Sequence, residues 1–468
     1  MEYVPKSLSI PTDTRALSIA LHMLNRNLAI VVGAGLSEAS PTCLPLAPKL
    51  AQTLKSSLQL TALADRVAHA NGDDLLDVAD KAIVTGDDLS IIQRKIIDLF
   101  PQLKTAPPNY GHKALALLMA EGVLVLSTNW DTCIERAGHT VYVEIAACRT
   151  YEEFQGAGAS VRLPKLHGCA QLDSSLFVSN RQIQKSPWWC GHQIGAALEN
   201  GFVTFLGIGS LAPYIKNTVL EILRKTNGKS ACVVAPTLSG DWGEILPNDE
   251  SRFLMAAEQF LDDMLRAITM DSLSKVLALA DKKKSEPPVA EIDIESTTHN
   301  TVDFLSKYPA HIVWLWARRG LVPQGYGAIA IDPLFQKCIM ALALINTVSR
   351  LREVTARGSV VSIRSEHFII ELALAKQLTL SDELSNGKRD SLLSDKRADL
   401  FPHSDNFLVL SYNHFGPLPS VVMPQDLVDN REGIIYGPDI IKDRWVGLDE
   451  LLQVESKDKL STLLGVAA

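Results

Sequence analysis

Short apolar runs alternate with helically spaced apolar residues through the first 280 residues, and this alternation constrains the fold most. Continuous apolar runs of four or five residues are typical of strands buried on both faces of a parallel sheet. The predicted strands are residues 28–32, 123–126, 141–145, 202–206 and 231–235. Helical spacing lies between them at Leu50, Leu54 and Leu58, and again at Leu89, Ile92 and Ile96. The pattern predicts an α/β fold with a doubly wound, Rossmann-like parallel sheet.

The pattern changes after a polar, proline-bearing segment, residues 281–300, and the length of 468 residues itself indicates two or three domains. We therefore predict an N-terminal domain over 1–283, a linker over 284–300 and a C-terminal domain over 301–468. The C-terminal domain should be a smaller, mixed α+β domain. Its predicted elements are strands at 312–316, 328–331, 360–363, 407–410 and 434–436, a helix at 335–351 and a charged loop at 381–406.

Composition and charge exclude several classes of protein. The net charge of −8 gives no bulk attraction for nucleic acid or for an anionic membrane. No signal peptide is visible, and the apolar stretches are shorter than the roughly 20 residues of a membrane-spanning helix. The seven cysteines are scattered singly, which argues against a zinc ribbon or a dithiol redox site. We expect a cytoplasmic protein without a membrane or nucleic-acid partner.

Small and polar residues follow the predicted strands. In an open α/β sheet the ligand lies at the carboxyl ends of the strands, so these residues should converge on one edge. They are Gly33, Ala34, Gly35 and Ser37 after the first strand, Asn129 and Asp131 after the second, His167 in the "KLHG" segment, and Gly209 and Ser210 after residues 202–206. Alone, "GAG" is weak evidence, because Glu38 stands where a dinucleotide fingerprint has its third glycine. An ordinary dehydrogenase is therefore disfavoured.

Together, the four motifs "GAGLS", "TNWD", "KLHG" and "GIGSL" over residues 33–211 resemble the catalytic domain of the sirtuin superfamily. The flanking segments "CLPLAPKL", in which Cys43 replaces a glycine, "YGHKALALL" and "SNRQIQKSPWW" are similar to its bacterial NADase branch. The resemblance covers about residues 20–265. Sirtuin deacylases carry two cysteine pairs for zinc after the histidine, whereas here only Cys169 and Cys190, unpaired, lie between the histidine and the "GIGSL" motif.

The resemblance implies an NAD hydrolase that releases nicotinamide without a metal. In the bacterial branch such domains are effectors of antiphage defence, Thoeris among them, which deplete NAD on infection. It further implies activation by a sensor protein encoded nearby or by a nucleotide signal, and a homo- or hetero-oligomer. The C-terminal half would serve regulation, partner binding or assembly.

The resemblance also suggests roles for individual residues. Asn129 would position the ribose or the attacking water, and His167 would act on the ribose hydroxyls or activate water. The backbone of Gly33, Ala34 and Gly35, with Ser37, would approach the pyrophosphate; Gly209 and Ser210 would face the adenosine-side ribose. Asp131 would either bind the nicotinamide amide or cap the following helix. His112 and His192 lack a comparable context, and we interpret them as structural.

Two other functions stay open at this point. A receptor that binds an NAD-derived or cyclic nucleotide without turnover would need the same glycine turns and polar strand ends. Protein deacylation is disfavoured by the missing zinc cysteines. Measuring nicotinamide release from NAD separates the hydrolase from the receptor.

Overall fold

The computed structural model describes most of the N-terminal half and parts of the C-terminal half. The described residues are 2–10, 18–19, 28–141, 143–158, 160–183, 192–199, 201–211, 213–225, 231–284, 293–318, 331–357, 360–373, 407–411, 444–447, 451–454, 456–464 and 466. The chain divides into two compact units, the first built mainly from Thr12–Ala267, the second mainly from Ile268–Val322 and Ala330–Ala468. The domain boundaries predicted from the sequence stay a prediction, and residues 285–292 of the predicted linker lie outside the described residues.

The first unit is organised around a five-stranded sheet in which every neighbouring pair is parallel. Its strands and those of a small parallel pair are β1 (Leu28–Val32), β2 (Leu124–Ser127), β3 (Ile145–Cys148), β4 (Val161–Pro164), β5 (Phe202–Leu206), β6 (Ala231–Val234) and β7 (Arg252–Phe253). The order across the large sheet is β2-β1-β5-β6-β7, and β3 pairs with β4. A parallel sheet of this kind requires crossover connections. The predicted fold class is confirmed.

The central strand β1 shows why these sequences form strands. All five of its residues are buried, and alternate side chains point to opposite faces of the sheet. Ala29 and Val31 pack in an apolar cluster with the helices 192–199 and 213–225, while Ile30 and Val32, on the other face, are fully buried as well. Both faces are therefore covered, as the continuous apolar runs predict.

Helices connect the strands of the first unit. They are Gly35–Glu38, Ala47–Leu58, Ala64–Val67, Leu75–Ala82, Gly86–Leu99, Gln102–Thr105, Tyr110–Ala120, Cys133–Thr140, Tyr151–Gly156, Asn180–Ile183, His192–Glu199, Pro213–Lys225, Asp241–Ile245 and Ala257–Lys284, the last of which continues into the second unit. The two predicted helical patterns lie in Ala47–Leu58 and Gly86–Leu99. Among the described residues, no helix is long and apolar enough to cross a membrane.

One predicted strand of this unit, 141–145, is misplaced. The helix Cys133–Thr140 ends just before it, and the N–H groups of Val141 and Val143 both donate to the carbonyl of Gly138. The two valines are buried at this helix end, and the strand β3 begins only at Ile145. The apolar run 141–145 therefore follows the end of a helix, and of its described residues only the last belongs to a strand.

The described part of the second unit contains a five-stranded mixed sheet. Its strands are β8 (Leu351–Arg357), β9 (Val360–Ser365), β10 (Ile369–Ala373), β11 (Phe407–Ser411) and β12 (Arg444–Gly447), and its order is β12-β11-β10-β9-β8. Strands β8, β9 and β10 are antiparallel neighbours, whereas β10, β11 and β12 run parallel. The helices are Ile294–Leu305, Ala310–Arg318, Ile331–Val348 and Lys457–Leu464. This is the mixed α+β composition that the sequence predicts.

Individual predictions in this unit have different outcomes. The strands at 360–363 and 407–410 are confirmed, and the predicted helix at 335–351 is observed as Ile331–Val348. The predicted strand at 312–316 is wrong, because these residues lie within the helix Ala310–Arg318. The predicted strand at 434–436, the loop at 381–406 and most of the strand at 328–331 lie outside the described residues.

The exposed residue Cys43 has a left-handed backbone, with φ of 50°. This conformation explains why glycine is the residue that the resemblance leads one to expect there. Cys43→Gly should raise the free energy of unfolding by up to about 1 kcal/mol, since relief of strain outweighs the added entropy of the unfolded chain. Denaturant unfolding measures the change. Cys43→Ala is the matched control, because it removes the thiol and keeps Cβ; an equal gain in this variant would contradict the explanation.

Candidate functional site

The hydroxyl of Ser37 is the centre of a buried polar network at the carboxyl ends of β1 and β2. Ser37 Oγ donates to Asp131 Oδ2 at 2.9 Å. It lies 3.1 Å from His112 Nε2 and accepts a hydrogen bond from Asn129 Nδ2 at 3.3 Å. All four residues are buried. A hydroxyl offers one donor and two acceptor sites, so Ser37 has no capacity left for a phosphate oxygen. The hydroxyl joins the residues of this network, and the expectation that Ser37, at a helix N-terminus, approaches the pyrophosphate stays a prediction.

The position of His112 fixes the direction of these hydrogen bonds. Its helix, Tyr110–Ala120, begins with a reciprocal cap in which Asn109 Oδ1 accepts from the His112 N–H and His112 Nδ1 accepts from the Asn109 N–H. Because Nδ1 is an acceptor, the proton of the neutral ring is on Nε2, which donates to Ser37 Oγ. Burial lowers the pKa of His112 to about 4, so the ring is neutral at pH 7.

His112 is therefore part of the site, although the sequence pattern indicated a purely structural role for it. We predict that His112→Leu lowers turnover by about 10-fold to 10²-fold, because Ser37 loses the donor that sets its orientation. His112→Gln keeps an amide donor near the place of Nε2 and should retain most of the turnover. Nicotinamide release and thermal melting measure the two effects. Equal activity of folded Leu and Gln variants would contradict the prediction.

The amide of Asn129 is oriented by its nitrogen. Nδ2 donates to Gly33 O at 3.1 Å as well as to Ser37 Oγ, and the Asn129 backbone N–H donates to Ser127 Oγ. Within the part of the chain that the structure describes, Oδ1 accepts no hydrogen bond. Because both amide hydrogens of Asn129 are donated to Gly33 O and Ser37 Oγ, only Oδ1 is left to accept a hydrogen bond from a ligand or a water.

The carboxylate of Asp131 caps a helix and is held ionised. Asp131 Oδ1 accepts from the backbone N–H of Cys133, the first residue of the helix Cys133–Thr140, which favours the capping alternative. Burial alone would raise the pKa of Asp131, but the Lys165 ammonium, the Cys133 N–H and the Ser37 hydroxyl outweigh it and hold the pKa below its usual value. Asp131 is thus an anion that accepts from Ser37.

His167 lies next to this network through its backbone. Its carbonyl accepts from Trp130 Nε1 at 2.9 Å and from the Phe177 N–H, while its imidazole Nε2 lies 3.2 Å from Thr218 Oγ1. Burial lowers the pKa of His167 to about 4. The following Gly168 has φ of +91°, and a Cβ there would lie 2.1 Å from the Ser175 carbonyl, so only glycine fits.

Both candidate catalytic side chains are buried. Only 8% of Asn129 and 6% of His167 is exposed. For Asn129 the cause is the inward pair of amide hydrogen bonds to Gly33 and Ser37. For His167 it is the packing of the ring beside Thr218, in the helix Pro213–Lys225.

The glycine turns after β1 and β5 pack directly against one another. The Gly33 N–H donates to Leu206 O and the Gly35 N–H to Gly207 O. A Cβ on Gly35 would lie 2.8 Å from Gly207 O, and one on Gly33 would lie 2.4 Å from the Ile208 side chain. These glycines therefore serve the close approach of two backbones, and the approach of their N–H groups to a pyrophosphate stays a prediction.

Three predicted binding residues lie outside the Ser37 network. Ala34 is exposed, and among the described residues its backbone N–H makes no hydrogen bond, so it is the amide of this turn that is free to bind an anion. Ser210 is exposed as well. The Gly209 carbonyl accepts from the Ser239 N–H, which ties the second turn to the segment after β6.

In addition to His112, three residues near the Ser37 network were not singled out from the sequence. Lys165 and Glu135 form a buried ion pair, and Lys165 Nζ donates to the Asp131 backbone carbonyl. Trp130, in the "TNWD" segment, donates from Nε1 to the His167 carbonyl. The pattern Asn109-x-x-His112 before an apolar helix resembles a capping box and could have placed His112. For Lys165 and Glu135 the only signal was their position inside or beside motif segments.

Two groups of side chains have the ligand types of a metal site. His112, Asp131 and Cys133 are buried with ligand atoms within 4.8 Å of one another, and Asp281, Glu295 and His299 form a more exposed group in the second unit. In the first group, the Ser37 hydroxyl already bridges His112 and Asp131. Burial raises the pKa of the Cys133 thiol well above its usual value, so the thiol of the metal-free chain is protonated at pH 7. Metal independence stays a prediction.

The fold and the Ser37 network together define an α/β protein with a buried polar network at a sheet edge. No protein-family model matches the chain, and no curated protein matches it. Among solved structures it is similar to a Sir2 homologue in complex with NAD, at 14% identity over 58% of this chain and 98% of that chain, with a TM-score of 0.32. It is also similar to a mutant Sir2 homologue in complex with 2′-O-acetyl ADP ribose, at 15% identity over 55% and 97% of the two chains, with a TM-score of 0.31.

Proposed function

We propose that the first unit hydrolyses NAD to nicotinamide and ADP-ribose. The observation that carries the proposal is the Ser37 network, which gathers polar residues of two of the four motifs and of one flanking segment around one buried hydroxyl and leaves one acceptor oxygen, Asn129 Oδ1. Purely structural strand ends have little need of an amide, a carboxylate and an imidazole bound to the same hydroxyl. The motif resemblance to sirtuin-superfamily NADases names NAD as the ligand.

The reaction breaks the bond between the nicotinamide nitrogen and C1′ of its ribose. Nicotinamide leaves as a neutral molecule, positive charge develops on C1′, and a water oxygen bonds to C1′ while one proton goes to solvent. Asn129 Oδ1 accepts a hydrogen bond from that water or from a ribose hydroxyl and so orients it. The Asp131 carboxylate, ionised beneath the site, favours the developing positive charge.

His167 has the role of proton acceptor in this proposal. A base with a pKa of about 4 is weak at neutral pH, since general bases work best when their pKa lies near the operating pH. The pyrophosphate of bound NAD brings negative charge, which raises the pKa of a nearby histidine. Substrate binding would thus strengthen the base that burial holds neutral beside Thr218.

The wider biological role is proposed on the motif resemblance. We propose an effector of antiphage defence that depletes NAD when a sensor protein or a nucleotide signal activates it. Protein deacylation is disfavoured because the sequence has no two cysteine pairs after His167.

The test is nicotinamide release by the purified full-length chain incubated with NAD, followed by chromatography. We expect release that persists in EDTA and is lost in Asn129→Ala. An acetyl-lysine peptide should not be deacetylated. Because such an effector rests inactive without its trigger, the NAD content of cells that express the chain or Asn129→Ala provides a second readout. No release in either setting, with no NAD binding, would overturn the proposal.

One observation favours the second candidate function, a nucleotide receptor without turnover. The His167 imidazole is buried against Thr218, and its low pKa makes it a weak base. A receptor would bind NAD or a related nucleotide, measured by calorimetry, and would release no nicotinamide either in vitro or in cells.

The second unit is proposed to regulate or assemble the enzyme. We predict that a chain ended after Lys284, which keeps the helix Ala257–Lys284 whole, loses trigger-dependent control or its native oligomeric state. The physical reason is that a hydrolase of NAD must be held inactive, and the recognisable motifs all precede this point. Light scattering and cellular NAD measure the two properties. A truncated chain with native size and unchanged triggered activity would contradict the prediction.

A further inference from the structure

Lys165, two residues before His167, is a fully buried lysine. Only 1% of its side chain is exposed, and its Nζ lies 3.4 Å from Glu135 Oε1, whose side chain is 5% exposed. Nζ also donates a hydrogen bond to the backbone carbonyl of Asp131 at 2.5 Å. A buried ammonium is costly unless it is paired and hydrogen-bonded, and here both conditions are met.

The backbone of Lys165 is secured without its side chain. The Lys165 N–H donates to Cys148 O and the Leu166 N–H to Ser127 O, so the chain continues β4 alongside the end of β2. The side chain therefore does something that the strand pairing does not require. It reaches across to the segment 129–131, which carries Asn129 and the Asp131 carboxylate.

The surroundings of Lys165 contain two carboxyl groups and one thiol. The ammonium contacts the Glu135 carboxyl group and the Asp131 backbone carbonyl, and Cys169 Sγ lies 3.8 Å from Glu135 Oε1. Glu135 Oε2 is buried and has no hydrogen-bond partner among the described residues. Lys165 thus makes a short hydrogen bond to the Asp131 carbonyl and a longer contact with Glu135, and one carboxylate oxygen of Glu135 has no hydrogen bond among the described residues.

We propose that Lys165 is a positioning residue of the NAD site. Its ammonium fixes the Asp131 peptide, and through it the Asp131 carboxylate and the Asn129 amide against Ser37, while Glu135 is the counter-ion that keeps the ammonium charged in the interior. This inference rests on the proposed NAD hydrolysis. Neither Lys165 nor Glu135 touches substrate.

The effect should fall on turnover more than on substrate binding. Asn129 orients the reacting groups, and a misplacement of about 1 Å at the reacting atoms can cost about 10²-fold in rate. Lys165 is buried under Asp131, so its loss removes no direct contact with NAD.

The test uses the full-length chain and a double variant, Lys165→Met with Glu135→Gln. Removing Lys165 alone would leave a buried carboxylate without its partner and could prevent folding, whereas the double variant removes both charges. We expect a kcat lower by about 10²-fold with KM within about threefold of the wild type. Cys169→Ala is the matched control, since it removes a neighbour of Glu135 and leaves the Asp131 carbonyl in place.

The pH profile separates positioning from packing. Besides Lys165, the titratable groups that face Asp131 are His112, Cys133 and Glu135. Without the ammonium, burial raises the pKa of Asp131, so the acidic limb of kcat should move to higher pH in the double variant. In Glu135→Gln alone, Lys165 loses its counter-ion, burial lowers its pKa, and the alkaline limb should move to lower pH.

The outcomes are distinguishable. A folded double variant with wild-type kcat and pH profile would show that the pair only packs, and the inference would fail while the proposed function stands. If the double variant does not fold, an unchanged pH profile in Glu135→Gln would overturn the inference in the same way. If the wild-type chain neither binds NAD nor releases nicotinamide, the proposed function fails and the inference with it.

Discussion

Asn129→Ala should lower nicotinamide release by at least about 10²-fold, because the amide both orients the reacting groups and closes the polar network. The substitution removes Oδ1, the acceptor that the proposal assigns to the substrate or the water, together with two inward hydrogen bonds to Gly33 O and Ser37 Oγ. Single-turnover measurement of nicotinamide release by the purified variant determines the loss.

The same substitution has a cost in stability. Unpaired buried acceptors cost about 1–3 kcal/mol, so thermal melting should show a modest decrease and retained folding. Asn129→Asp is an informative companion, since it keeps the shape and the acceptor but removes the amide donor. Near-normal turnover by folded Asn129→Ala would remove the basis of the hydrolase proposal. The nucleotide receptor would then be the favoured function.

His167→Ala should lower turnover by about 10²-fold to 10⁴-fold, the range that positioned proton transfer supplies. In the proposed reaction His167 and Asn129 act in one site, so the double variant should lose far less than the product of the single losses. Thr218→Val is the control, because it removes the hydroxyl beside Nε2 and leaves the imidazole in place. Additive losses would indicate that the two residues act separately.

The variant should also change the acid stability of the protein. Burial lowers the pKa of His167 from 6.5 to about 4 in the folded chain. The unfolded chain therefore binds the proton more tightly, and stability is lost as the pH falls from about 6.5 towards 4, while it is unaffected above that window. His167→Ala should lose less stability over this interval than the wild type, measured by thermal melting at stepped pH. An identical pH dependence would contradict the buried, neutral imidazole.

Parallel strands were predictable from the sequence because burial on both faces leaves a continuous apolar run. The same reasoning failed at residues 312–316, where Val313, Trp314 and Trp316 are buried in a helix. A short apolar run reports burial and cannot by itself separate a buried helix from a buried strand. Pro309, just before the run, marks the boundary of an element and is compatible with either kind.

In the site, the sequence could identify the residues at strand ends but not the hydrogen bonds that join them. Asn129, Asp131 and Ser37 were found because small and polar residues interrupt apolar strands. His112 was missed because it lies in an apolar helix, where a histidine is most often structural. The proton position on His112, and with it the direction of the whole network, depends on the Asn109 N–H and becomes visible only in three dimensions.

The contact between the two glycine turns couples the backbone at the end of β1 to the backbone at the end of β5. A ligand that displaces residues 33–35 would also displace Gly207, because the Gly35 N–H donates to the Gly207 carbonyl. Two residues further on, the Gly209 carbonyl accepts from the Ser239 N–H. Gly35 and Gly207 have no side chains that could absorb the displacement. Through the Gly209 carbonyl, such a displacement would also reach the Ser239 N–H, in the segment after β6.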